Sequence, residues 1–354
     1  MKQRTTIIRL ALAALAVLTA ASCEKVIEID EADYPPQLVL NGLPSAGQRA
    51  FVNFSYTHFF LDPNNAQPVG GAELRLTVGG TTYRPDSVDG CNYFFPYTCQ
   101  PGDTLRMDIE AAGTSVSAQT YIPPMPAIDG FTAHTFAGGS FRFYRTRFTL
   151  HDHGDVPEYY YLTVEVRDSG LRYNPYQHKV DTVDTISHNY FGFRGSGEEI
   201  TSSDVTPFIP LGGYLYSQLL FTDKRIDGQD YPVELYILNL IDTNEINTET
   251  DTFRHWYTIR LESITPARWN YQLSVVRSQS MGSYFAEQAR AWSNVSGGVG
   301  IFAGMAKQTF TFTPDTLMPF VPPLLKSPAR VEEHRAVQPQ LSGEEAFYIR
   351  PSRW

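Results

Sequence analysis

Several things are scarce in this 354-residue chain, and each scarcity narrows what it can be. Basic residues are outnumbered: 28 Lys and Arg stand against 38 Asp and Glu, a formal charge of −10. No basic patch interrupts that balance, which argues against a nucleic-acid binder, since such proteins carry a basic footprint. Cysteine occurs only three times, too few for thiolate metal binding without further ligands beside it. Long helical patterns are nearly absent. Long apolar runs are absent too: the run Leu10 to Ala20 falls short of the roughly 20 residues a spanning helix needs. Catalytic signatures are missing as well. There is no Gly-x-Ser-x-Gly elbow and no His-Glu-x-x-His, and the glycine-rich "SGGVGIFAG" lacks the Gly-Lys-Ser/Thr ending of a phosphate loop.

What is present begins at the N-terminus. Lys2, Arg4 and Arg9 precede the apolar run, and Ala20, Ala21 and Ser22 lead into Cys23. A basic start, a short apolar core and a small-residue end describe a secretory signal peptide over residues 1–22. The small residues ending in cysteine resemble a bacterial lipobox, which implies cleavage before Cys23 and acylation of its thiol. Acyl chains there would anchor a soluble domain without spanning the bilayer. Cleavage would leave 25 basic against 38 acidic residues, a formal charge of about −13. Glu24, Glu28, Asp30, Glu31 and Asp33 make residues 23–36 an acidic tether ending in Pro35-Pro36. The other two cysteines, in "CNYFFPYTC", form an even pair in an exported chain, and Cys91–Cys99 is expected as a disulfide closing a small loop.

The remainder reads as β-rich. There are 21 Tyr, 22 Phe, 26 Gly and 24 Pro, and short alternating segments recur between turn signals. In "AELRLTV", Leu74, Leu76 and Val78 lie on one face and Glu73, Arg75 and Thr77 on the other, a half-buried strand. "QLVLNGL", "RAFVNFSYTHFF", "DTLRMDIEA" and "TSVSAQTYI" complete an expected immunoglobulin-like sandwich over residues 37–125, closed by the proline-rich "IPPMPAI". A second β-sandwich is expected over 126–317, from "FRFYRTRFTL" through "YYYLTVEVR", "YLYSQLLFT", "PVELYILNLI", "HWYTIRLESI" and "YQLSVVRSQ". Within it, 168–205 reads as a long irregular excursion, and "SYFAEQARAW" as one short helix near the end, free of Gly, Pro and β-branched runs. Residues 318–354 form a proline-rich tail. The fold class is therefore all-β, two sandwich-like domains with one short helix.

Three segments together resemble the domain-of-unknown-function 4249 family of Bacteroidota surface lipoproteins. They are "PQLVLNGL" behind the acidic tether, "QPVGGAELRLT", and "YTIRLESITPARWNYQLSV" followed by "SNVSGGVGIFAG". Ser293, Asn294, Gly297, Gly298, Gly300 and Phe302 carry the most specific part. The resemblance implies an outer-membrane lipoprotein facing the exterior, its acidic residues behind the lipid cysteine serving as the outward address. It also implies a place beside a TonB-dependent transporter. It implies no catalytic residues and no cofactor.

Candidate chemistry is thin. In "HDHGD", alternation would put His151 and His153 on one face as metal-ligand candidates, but a plain turn is the favoured reading and no metal is expected. The acidic loops "DPNN" and "DTNEINTETD" offer oxygen ligands of the kind calcium takes, without the spacing of an EF-hand. Tyr173, Tyr176, Tyr190, Phe191, Phe193, Tyr214 and Tyr216 cluster in and after the excursion. They suit recognition of a sugar, peptide or protein partner, and core packing fits them equally. A non-enzymatic binding role is the expectation. A surface hydrolase of glycan or peptide, or a structural or adhesive envelope protein, are the alternatives.

Overall fold

Alternating burial along short strands organises this protein. The computed structural model describes residues 35–57, 67–138, 141–154, 156–174, 176–194, 205–208, 213–224, 226–238, 254–280, 291–314 and 318–319. The first part holds β1 Leu38–Gly42, β2 Arg49–Tyr56, β3 Glu73–Val78, β4 Thr81–Tyr83, β5 Ser87–Asp89, β6 Asn92–Thr98, β7 Thr104–Ala111 and β8 Thr114–Tyr121. They form two sheets. One is four-stranded, β4-β3-β7-β8; the other is β19-β1-β2-β6-β5, completed by β19 Val299–Phe302 from far along the chain. Leu74, Leu76 and Val78 of β3 and Leu105, Met107 and Ile109 of β7 face Leu40, Val52, Phe54 and Phe95 in one core. Each such side chain contributes about 1.5–3 kcal/mol by leaving water.

The second part holds β9 Ala127–Gly138, β10 Phe141–His151, β11 Tyr159–Asn174, β12 Lys179–His188, β13 Phe191–Arg194, β14 Val205–Phe208, β15 Gly213–Tyr216, β16 Gln218–Thr222, β17 Asp230–Leu238, β18 Arg254–Ile264, helix α1 Pro266–Ser280, β20 Met305–Phe312 and β21 Met318–Pro319. A seven-stranded sheet runs β14-β15-β13-β17-β10-β9-β21. A five-stranded sheet runs β12-β11-β18-β20, with β16 also paired to β11. Tyr144, Phe148, Tyr160, Leu162, Phe221, Leu235, Tyr257 and Leu261 belong to the core that these strands share. The all-β class and the single short helix near the C-terminal end hold among the described residues. No helix there is long and apolar enough to cross a membrane.

Two expectations fail. Residues 168–174, 179–188 and 191–194 are strands, not an irregular excursion, and residues 195–204 of that segment lie outside the described residues. β11 and β12 pair without a register break from Glu165↔His188 to Asn174↔Lys179. Both faces of β12 are largely exposed, so it lacks the one-sided apolar alternation that marks a half-buried strand. The second concerns "YQLSVVRSQ", expected as a strand, which lies within α1. The start signal is Thr265-Pro266: Thr265 Oγ1 accepts from Arg268 N at 3.5 Å, and Pro266 takes the first helical position. Trp269, Leu273 and Val276, at helical spacing, pack with Leu220, Ile264, Tyr159, Tyr161 and Met305. Most of the segment expected to be helical, residues 283–290, lies outside the described residues.

Beneath α1 sits a buried ion pair, Arg268 Nη2 to Glu262 Oε2 at 2.8 Å, with side chains 8% and 5% exposed. The Arg268 guanidinium also lies over the Tyr161 ring, 5.2 Å from its centroid, and burial pushes the Tyr161 hydroxyl up to about 12.

Candidate carboxylate site

The turn that continues β10 and the turn between β16 and β17 meet, because the strands carrying them pair. His151 is the register partner of Asp230, and Tyr159 that of Thr222. Asp152 comes from the first turn, Glu158 from the residue before β11, and Asp223 and Asp227 from the second turn. Carboxylate oxygens of Asp152, Asp223 and Asp227 lie within 4.8 Å of one another. Gly228 N donates to Asp152 Oδ2 at 2.8 Å, and Glu158 N donates to Asp223 Oδ2 at 2.6 Å. The Tyr160 hydroxyl donates to Glu158 Oε2 at 2.5 Å and lies 3.4 Å from Asp152 Oδ1.

Gathering negative groups where water is scarce disfavours their ionised forms. Burial, then the neighbouring Glu158, holds Asp152 above the usual carboxylate range. Burial, then Asp152 and Asp227, does the same for Asp223. Such a group can share protons among its oxygens, and its donors are the hard oxygen type that divalent cations such as calcium take.

The "HDHGD" expectation divides here. His151 does not join His153 on one ligand face. Its Nδ1 meets Asp230 Oδ1 at 2.6 Å and its Nε2 meets Asp129 Oδ2 at 3.0 Å, so both ring nitrogens are engaged across β9, β10 and β17. His153 instead turns toward Glu158, with Nδ1 3.4 Å from Oε1. Asp152 between them points into the cluster, and Asp223 and Asp227 were not singled out from the sequence. Their spacing of some 70 residues hides them; "TDKRIDG" reads only as a turn. The acidic loops 62–65 and 242–251 lie outside the described residues.

The Cys91–Cys99 disulfide is not formed; among the described residues no disulfide is found. The two cysteines flank β6, one just before Asn92 and the other just after Thr98. Eight residues of near-extended chain, even with the irregularity in β2–β6 pairing, separate their Cα atoms by on the order of 20 Å or more at ~3.3 Å per residue. A bridge needs about 4.4–6.8 Å. Burial, then Asp103, raises the Cys99 thiol to about 11.

The aromatic candidates also divide. Phe191, Phe193 and Tyr216 lie in the core, and Tyr190 packs against it. Tyr176 is 94% exposed at the β11–β12 turn. Tyr173 and Tyr214 fall in β11 and β15, opposite Val180 and Pro207.

The motif residues of "SNVSGGVGIFAG" have structural employment. Asn294 Nδ2 donates to Phe302 O at 2.8 Å, and Phe302 N donates to Asn294 Oδ1 at 2.9 Å, closing the loop between them. Ser293 Oγ accepts from Val295 N at 3.2 Å. Gly297 has φ +76°, and a Cβ there would lie 2.1 Å from Ser115 O. Gly300 has φ +119°, and a Cβ would lie 2.1 Å from Leu40 O. A side chain at Gly297 would push the loop off β8, and one at Gly300 would stop β19 from reaching β1. Gly298 stands against Leu38 in the same approach, and Phe302 is buried in the core of the first part.

Residues 24–311 match a family model described as Domain of unknown function (DUF4249). No curated protein matches the chain. Among solved structures, the chain is similar to one titled "Complete structure of manganese lipoxygenase of Gaeumannomyces graminis and partial structure of zonadhesin of Komagataella pastoris". Identity is 9%, over 78% of this chain and 96% of that one, with a TM-score of 0.20. At that score the likeness assigns neither fold nor function.

Proposed function

This chain belongs to the family described as Domain of unknown function (DUF4249), and on that premise we propose that it is a lipid-anchored protein of the outer-membrane surface. It acts as a non-enzymatic binding subunit beside a TonB-dependent transporter in nutrient uptake. One observation carries the reading: the basic and apolar N-terminal segment stops at Cys23, and the family match begins at the next residue, 24. The acidic tether directs the anchored protein to the exterior face and keeps the link solvated. No cofactor is required for this role.

The experiment has two readouts. Labelled palmitate supplied to cells should enter the protein and fail to enter Cys23→Ser. Purification from native membranes in mild detergent should bring a transporter with it in stoichiometric amount. A lipidated, exposed protein that purifies alone would leave a structural or adhesive role. Turnover of a surface glycan or peptide that vanishes in Asp152→Asn would replace the binding role with hydrolysis.

A further inference from the structure

The N-terminal tether runs directly into β1, and β1 is held on both sides. Four register pairs join it to β2, antiparallel, and four join it to β19, from Val39↔Val299 to Gly42↔Phe302, parallel. β19 leads within three residues into β20, which pairs along its whole length with β18. Parallel neighbours decide how a load is borne. If the tether is pulled one way and the chain beyond β20 the other, β1 is drawn toward its start and β19 toward its end. The hydrogen bonds between them lie across that load, so they must fail together and not one after another. We infer that the β1–β19 pairing is a mechanical clamp, carrying tension between the N-terminal tether and the β18–β20 strand pair.

Several contacts fasten β19 where the clamp needs it. Asn294 ties both ends of the loop to Phe302. Ser296 and Ser117 exchange backbone hydrogen bonds at 2.8 and 3.0 Å, and Ala303 N donates to Gly42 O at 3.0 Å. Gly304 N donates to Thr120 Oγ1 at 2.8 Å. Phe302, 1% exposed, plugs the core behind the pairing. The inference takes from the anchored reading only the place where tension enters the chain.

Single-molecule pulling of the chain from residue 24 to 354, held at its two ends, tests the clamp with no lipid present, so its outcome is independent of whether Cys23 is acylated. Forced rupture is governed by the unfolding barrier, and loss of two hydrogen bonds in Asn294→Ala should speed rupture at fixed load roughly tenfold. A second test, independent of how well that variant folds, joins the strands. Val39→Cys with Val299→Cys places two cysteines on adjacent strands about 4.8 Å apart, within disulfide reach. Oxidised, this protein should lose the rupture that releases β1, and reductant should restore it. If Asn294→Ala and the oxidised pair both rupture as the unaltered chain does, the first element to yield lies elsewhere and the clamp is refuted.

Discussion

At the scale of single residues, electrostatics yields predictions with definite signs. Hydrogen bonds donated by the ring to the carboxylates of Asp230, then Asp129, hold His151 above its ordinary value near 6.5. A raised histidine stabilises the folded state fully below the unfolded pKa, and that contribution is lost as pH rises through the folded one. The difference in melting temperature between the unaltered protein and His151→Ala should therefore be larger at pH 5 than at pH 9, as thermal melts by circular dichroism can show. Asp152 has the same pH sign, but its ionised form is a destabilising charge where the charged His151 is a stabilising one. Its carboxyl is raised, so between the unfolded and folded values the folded protein holds a proton the unfolded chain has released, and stability falls as pH climbs through that window. Asp152→Asn keeps an acceptor for Gly228 N and removes one negative charge. It should be more stable than the unaltered protein in urea at pH 7.5, with the advantage shrinking toward pH 3. Equal or lower stability at pH 7.5 would mean that the charge is compensated in the folded protein. Little of this site was legible in advance. "HDHGD" drew attention to the right turn for its histidines, while the carboxylates that complete the cluster arrive from a turn 70 residues away that only strand pairing brings close.

Among the elements, α1 is one whose type the sequence reading missed. Val275-Val276 favoured a strand, but Thr265-Pro266 and the apolar spacing of Trp269, Leu273 and Val276 were visible and favoured a helix. Thr265→Ala should cost about 1 kcal/mol through loss of the cap. The pair beneath the helix matters more. Arg268→Ala leaves Glu262 buried without its cation and should destabilise the protein by about 3–5 kcal/mol, whereas Arg268→Met combined with Glu262→Leu should recover most of that loss. Chemical denaturation of the three variants measures both. β12 was misread for a different reason: exposed on both faces, it carries no burial pattern. β3, with one face in a core and one in water, was legible residue by residue.

For the whole molecule, the prediction concerns redox chemistry. With Cys91 and Cys99 at opposite ends of β6, melting of the chain from residue 24 should be unchanged by reductant, and intact mass should match two thiols; a loss of two hydrogens with a reductant-sensitive melt would contradict the strand assignment. Compartment logic suggested a bridge closing a small loop; the structure instead runs "CNYFFPYTC" as an extended strand with a cysteine at each end, which geometry does not allow to close. The sequence by itself determined the β class, the polarity of each half-buried strand, the absence of known catalytic motifs and the family. These are local or compositional properties, set by period-2 burial and by residue identity. Tertiary structure alone decided that residues 299–302 leave their chain neighbours to pair with β1, and that four carboxylates converge beside Tyr160. Such pairings bring together groups separated by tens to hundreds of residues. Their partners are selected by backbone hydrogen bonding, which every residue but proline offers alike and which therefore leaves little trace in side-chain pattern.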